Sequence, residues 1–308
     1  MNRKKGNTIV RSKVQVRFVG VFLFIALLLI APFAQATSTV SAEKAGQLAK
    51  QAQRITIIRD DFGVPHIYAK TDADAVFGLL YAQAEDDFKR IERNYIWATG
   101  RLAEVEGEDA LFSDLRARLY MTVDEAKAAY AGAPEKVKQL CDAWADGLNY
   151  YLQTHPEVKP ALLTSFEPWM PMFFSEGSIG GDIESVPLKG IRAFYGDEKP
   201  ALPLKQVAIE ENPVQTRQQV AVGTDLDQEP RGSNGFAISG KLTKSGNAML
   251  LINPHTSFYF RGEVLVVSEE GLNAYGAVTW GQFFVYQGFN ENTGWMHTST
   301  HVDFMDEF

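Results

Sequence analysis

From residue 73 onward the chain changes its hydrophobic period once. Between residues 73 and 155 apolar side chains recur every three or four positions; between 236 and 289 they come in short β-branched and aromatic runs cut by turns. A single switch of this kind excludes an alternating βαβ fold and points to an α+β protein, with a helical first half and an antiparallel β second half. In the first half Val76, Leu80, Ala84, Phe88, Ile91 and Tyr95 share one helix face, and Glu85, Asp86, Lys89, Arg90, Glu92 and Arg93 are expected on the other. Thr122 followed by Glu125 is a capping-box pair for a second helix. Pro134 opens a third, striped by Val137, Leu140, Trp144, Leu148 and Tyr151 and ended by Pro156. Before them, Ile55–Ile58 and Val64–Tyr68 read as two strands about the turn Asp60-Asp61-Phe62-Gly63. Residues 166–196, rich in Gly, Pro, Trp and Phe, follow no period, and 205–231 are a polar linker. The expected β runs are 236–238, 249–252, 264–267, 274–280 and 283–289.

The N-terminus has its own pattern. Arg3, Lys4, Lys5, Arg11, Lys13 and Arg17 come without an acid, an apolar run spans Phe18 to Phe33, and Ala34-Gln35-Ala36 is a small-x-small cleavage site. This reads as a secretory signal peptide over residues 1–36 of bacterial type, with the mature chain in the periplasm or outside the cell. The alternative is an uncleaved anchor, for which the run is short and interrupted by Pro32. No later stretch is long and apolar enough to span a membrane, so no membrane association is expected after the signal is removed. With 30 Lys+Arg against 38 Asp+Glu and the basic residues of the leader set aside, the body is strongly acidic, which argues against nucleic acid as a partner. The lone Cys141 excludes an internal disulfide and a cysteine-rich zinc module; beside Leu140 and Trp144 it reads as core.

Several catalytic motifs are absent: no Gly-x-Ser-x-Gly elbow, no His-Glu-x-x-His, no phosphate loop and no dinucleotide fingerprint. The histidines lack metal spacing. What stands out is Ser233 in Arg231-Gly232-Ser233-Asn234-Gly235-Phe236, where the polar linker meets the first β run. An ordinary turn serine would also fit there. Cutting Gly232–Ser233, however, would give one residue both a hydroxyl and a free α-amine. An α-amine titrates near 7.7–8.0, so much of it is neutral near neutral pH and can act as base to its own hydroxyl through a water. Gly232 would let the backbone bend for self-cleavage.

These residues carry a resemblance. The segment Ile57-Ile58-Arg59-Asp60-Asp61-Phe62-Gly63-Val64-Pro65-His66-Ile67, followed by Ala73-Asp74-Ala75 and Tyr81-Ala82-Gln83-Ala84-Glu85-Asp86, is similar to the start of the small subunit of the penicillin acylase family of N-terminal-nucleophile hydrolases. Gly232-Ser233-Asn234-Gly235, Asn253-Pro254-His255 and Gly294-Trp295-Met296-His297-Thr298 resemble the start of its large subunit. The resemblance implies a small subunit over 37–204, a spacer over 205–232, the first part of a large subunit over 233–308, and a four-layer αββα sandwich of which this chain holds only part. It implies a self-cleaved heterodimer acting on small N-acyl amide substrates, acyl-homoserine lactones or penicillin-like amides.

Position by position, the resemblance makes Ser233 the nucleophile and Gly232–Ser233 the cleavage point. His255 matches a histidine of the acyl-homoserine lactone acylase branch and leans the substrate toward long-chain acyl amides; read from the residues alone, it is a structural histidine after Pro254. The backbone N–H of Val302 matches an oxyanion donor, a kind of contact worth about 3–4 kcal/mol in the transition state. No cofactor is implied for the chemistry. A structural Ca²⁺ is: Asp303, Asp306 and the Met305 carbonyl match its ligands, with Asp182, or alternatively Glu184, as the small-subunit ligand, and hard oxygens suit the ion. The chain departs from the family in running only from Ser233 to Phe308 after the junction, where the family's large subunit continues for several hundred residues and supplies a second oxyanion donor, an asparagine. The expectation is therefore a fragment or truncated form, inactive alone. The competing reading is a remnant that acts at most as a binding protein; a cysteine or metal hydrolase is the remote third.

Overall fold

The computed structural model describes residues 41–173, 186–196, 232–255 and 261–298. The leader 1–36, the linker 205–231 and the tail from 299 lie outside the described residues. Among those described, no helix is long and apolar enough to cross a membrane.

Helix α1 (Ala42–Ala52) starts at Ser41, whose hydroxyl accepts the Lys44 N–H. Strands β1 (Thr56–Arg59) and β2 (Pro65–Ala69) form a hairpin whose turn is closed by the Asp60 carboxylate, which accepts the N–H groups of Phe62 and Val64. Helix α2 (Asp72–Ala98) carries the first half of the core, capped by Thr71. It kinks at Asp87, where φ −155° and ψ 68° leave the helical region. The Asp87 carboxylate then accepts the Arg90 N–H and meets its guanidinium, so it acts as a fresh N-cap for the second segment.

Short helices α3 (Ala103–Glu106) and α4 (Leu111–Ala117) follow. Helix α5 (Val123–Gly132) has the full capping box expected at Thr122 and Glu125. Helix α6 (Glu135–Thr154) begins one residue after Pro134 and packs along α2. Their seam is aromatic: the Tyr95 and Trp144 rings lie 4.7 Å apart, and Phe166 stands edge-on to Trp144, Tyr95 and Phe88. Cys141 is fully buried in it, as expected. Helix α7 (Leu188–Tyr195) is the last described element before the linker.

The face expected for α2 from spacing fails at one residue. Helical spacing puts Glu92 on the solvated side, yet it is 2% exposed. Its two oxygens accept the N–H groups of Ala161, Leu162 and Leu163 at 2.7–2.9 Å. A backbone turn whose N–H groups need an acceptor has drawn a carboxylate inward, a demand that helical spacing does not reveal.

The second half supplies β3 (Gly232–Ile238), β4 (Met249–His255), β5 (Arg261–Ser268), β6 (Asn273–Thr279), β7 (Gln287–Phe289) and β8 (Gly294–Trp295). One expectation holds and one needs correction. The described pairs among β3–β8 are all antiparallel, as expected, but the six-stranded sheet runs β1-β2-β5-β6-β7-β8 and takes in the first hairpin, with β2 beside β5 in parallel, His66 opposite Leu265. Of the run 283–289 only the last three residues are strand, because 280–283 form a turn clamped by the helices. The architecture is a mixed α+β one. Ile67, Ala69, Val264 and Val266 turn one sheet face onto α2 and α6 and complete the core.

That clamp centres on Gly281, at φ +94°, where a Cβ would come within 2.7 Å of Tyr95. Its carbonyl accepts from Tyr95 Oη at 2.9 Å and Trp144 Nε1 at 2.6 Å. Its N–H donates to Gln83 Oε1, and Gln83 Nε2 donates to the Gln282 carbonyl, both at 2.9 Å. Asn94 adds a bond to the Trp280 carbonyl. The two halves of the chain are thus joined by the parallel β2–β5 pair and by a buried polar staple.

Candidate active site

Ser233 lies in β3, and among the described residues β3 pairs only with β4, as a ribbon apart from the main sheet. The register sets Gly232 opposite His255, Ser233 opposite Pro254, and Asn234 opposite Asn253. Side chains alternate along a strand, so Ser233, Gly235, Ala237, Leu250, Ile252 and Pro254 share one face, while Asn234, Phe236, Asn253 and His255 share the other.

The two faces meet different surroundings. On the Ser233 face the segment 294–298 runs antiparallel to β3. Leu250, the partner of Ala237, packs onto Gly294; the Met296 thioether fills the space where a side chain on Gly235 would stand; and Thr298 Oγ1 donates to the Ser233 carbonyl at 2.9 Å. A side chain at Gly235 would therefore displace the Met296 thioether. On the opposite face His255 Nε2 lies 2.8 Å from Asn253 Oδ1 and 3.2 Å from Asn234 Nδ2. That face also leaves Phe236, Met249 and Leu251 at least half exposed.

The structure thus brings Gly232, Ser233 and His255 into one ribbon end but projects the Ser233 and His255 side chains from opposite faces. Val302, Asp303, Met305, Asp306, Asp182 and Glu184 lie outside the described residues. Among the described residues no group of three or more His, Cys, Asp or Glu could hold a metal ion. Sequence reasoning assigns no role to Asn234, Asn253 or Thr298, although one signal is there: a proline opposite the candidate nucleophile cannot donate in the ladder. A separate apolar cleft of about 350 Å³ opens between α2 and the main sheet, lined by Val76, Leu79, Val266, Leu272, Phe283 and Trp295.

The penicillin amidase profile matches residues 54–308, and the chain belongs to that family. Among curated proteins it is 26% identical over 272 residues to "Acyl-homoserine lactone acylase PvdQ" of Pseudomonas savastanoi pv. phaseolicola, covering 80% of this chain and 34% of that protein. It is 33% identical over 124 residues to "Acyl-homoserine lactone acylase QuiP" of Pseudomonas putida, covering 39% of this chain and 15% of that one. The chain thus spans about a third of the length of the first of these relatives. A penicillin G acylase from Alcaligenes faecalis superposes with a TM-score of 0.32 at 26% identity, over 39% of this chain and 63% of that one, too loosely to define the fold.

Proposed function

We propose that this chain belongs to an exported, self-processing amidohydrolase that cleaves N-acyl amides through an acyl-enzyme on Ser233. The observation that carries the reading is the placement of Gly232–Ser233 at the start of β3, inside the family match. In maturation the Ser233 Oγ attacks the Gly232 carbonyl carbon, the Gly232–Ser233 C–N bond breaks, and the resulting ester is hydrolysed. Water leaves its hydroxyl on Gly232 and returns the proton to Oγ. The products are a Gly232 carboxylate and a free Ser233 α-amine.

In turnover the α-amine takes the Oγ proton through a water, Oγ attacks the substrate carbonyl, and the amine leaves with that proton. A second water then releases the acid and restores the hydroxyl. Loss of Gly232 removes the residue opposite His255, so the new α-amine sits at the strand position beside it. This supports a role for His255 near the amine rather than against Oγ. The relatives' names favour acyl-homoserine lactones as the substrate class. The αββα sandwich, the Val302 oxyanion contact, the periplasmic address and a structural Ca²⁺ held by Asp303, Met305, Asp306 and Asp182 belong to the same proposal.

The test is expression of the chain and of its full reading frame, followed by intact mass. Cleavage between Gly232 and Ser233, abolished in Ser233→Ala, together with release of free amine from N-acyl substrates by the full frame, is the expected result. Amide hydrolysis that survives Ser233→Ala overturns it.

A further inference from the structure

We infer that Thr298 is a positioning residue for Ser233, holding the nucleophile's carbonyl. The inference rests on the reading of Ser233 as nucleophile and names a residue that acts through it.

Three observations carry it. Ser233 is opposite Pro254, and proline has no N–H, so the opposite residue contributes no ladder bond to the Ser233 carbonyl. Thr298 Oγ1 donates to that carbonyl at 2.9 Å. The contact is no isolated touch, because it is the last of three in register: Gly294 meets Leu250 across from Ala237, Met296 meets Gly235, and Thr298 meets Ser233. Each step of two residues forward along 294–298 is a step of two back along β3. The segment therefore lies over the face from which the Ser233 side chain projects, and its end reaches the cleavage point.

The consequence follows from what cleavage removes. Before the cut, Ser233 is held by the chain on both sides. Afterwards the peptide bond to Gly232 no longer holds it, and the Thr298 contact on its carbonyl remains. A hydroxyl bonded to the carbonyl restrains the rotation of that peptide plane, and with it the direction of Cα–Cβ and of Oγ. Positioning of this kind acts on the chemical steps, self-cleavage and acylation, rather than on substrate affinity.

Two substitutions separate the hydroxyl from the bulk of the side chain. Thr298→Val keeps the branched shape and loses the donor; Thr298→Ser keeps the donor and loses the methyl. The full chain is followed by intact mass for Ser233-ended product and by amide hydrogen exchange of a peptide over 233–238, with a peptide over 264–268 as the internal reference. The expected result is that Thr298→Val slows cleavage about tenfold and speeds exchange in 233–238 but not in 264–268, while Thr298→Ser stays within about twofold of wild type in both. Thr298→Ala, expected to behave as the valine variant, replaces it should valine unsettle the fold. Wild-type exchange and cleavage in the variants lacking the hydroxyl, or a serine variant as impaired as valine, overturns the inference. If the wild type is not cut at all while the exchange pattern follows the hydroxyl, the positioning stands and the reading of Ser233 fails. If cleavage occurs at wild-type rate in every variant, the reverse holds.

Discussion

Gln83 is the most economical place to test how the two halves are held. It is 1% exposed, on the face of α2 that meets the turn at Gly281. Both ends of its amide are used: Oε1 takes the Gly281 N–H and Nε2 gives to the Gln282 carbonyl, each at 2.9 Å. Gln83→Leu keeps the approximate volume and leaves a backbone donor and acceptor stranded in a buried site. An abandoned buried polar group costs about 1–3 kcal/mol, so the pair costs about 2–6 kcal/mol. Set against a typical stability of about 5–15 kcal/mol, that is a large fraction. Urea unfolding followed by tryptophan fluorescence reads it directly, since Trp144 shares the Gly281 carbonyl. Gln83→Glu sharpens the test. In its protonated form the introduced carboxyl can accept from Gly281 and donate to Gln282, and in its ionised form it cannot donate. Burial raises the folded pKa of that carboxyl above the unfolded value, so the folded state binds the extra proton and this variant loses stability as pH rises. If Gln83→Leu unfolds at the wild-type urea midpoint, the Gln83 amide contributes nothing to holding the two halves together. After a cut at Gly232, the same substitution should speed separation of the two pieces, read by size exclusion at low concentration.

The other expectations are briefer. Glu92→Leu strips three N–H groups of their acceptor and should cost about 3–9 kcal/mol in urea unfolding, whereas Glu92→Gln, which keeps one oxygen for Leu162 and Leu163 and turns an NH₂ on Ala161, should cost less. Burial, and then Asp142, push the Cys141 thiol up to about 11, so iodoacetamide should label it only in urea; labelling of folded protein at pH 8 would contradict the buried seam. Burial raises the Asp72 carboxyl, but the Ser268 hydroxyl and Lys136 outweigh it and hold the group below its ordinary value. A depressed carboxylate stabilises the fold at neutral pH and loses that contribution as pH falls through its folded value, so Ser268→Ala should flatten the loss of urea midpoint between about pH 5 and 3.

What the sequence discloses of this fold is what local periodicity encodes. The stripe from Val76 to Tyr95, the Thr122–Glu125 box and the burial of Cys141 all follow from spacing on a helix, and all three are present. What it conceals is pairing between distant segments. Nothing in Pro65–Ala69 says that it will lie parallel to Arg261–Ser268, because strand partners are chosen by packing across nearly the whole chain. Glu92 is hidden for the same reason: its oxygens serve a turn some seventy positions on, and a helical wheel sees only a charge. At the site, Ser233 is legible as a junction between linker and strand. The distribution of its neighbours over two faces is not, since a shift of one residue in the β3–β4 register would exchange them.

That register decides which groups can share the chemistry. With Gly232 opposite His255, the imidazole stands on the side of Asn234 and Asn253, and Oγ on the side of Met296 and Thr298. On the proposed reading the base for turnover is the α-amine that the cut creates at position 233, with His255 on the other face of the ribbon from Oγ. Asn253 and Asn234 both contact a single ring nitrogen, Nε2, which offers either one proton or one lone pair, so only one of the two amides can satisfy it in a given orientation. Replacing Asn253 by leucine should then alter the pH dependence of turnover in the cleaved protein while leaving self-cleavage at its wild-type rate, because the cut precedes the amine that His255 would serve. A matching loss in both steps would place His255 before the cut and refute the order of events that the two faces imply.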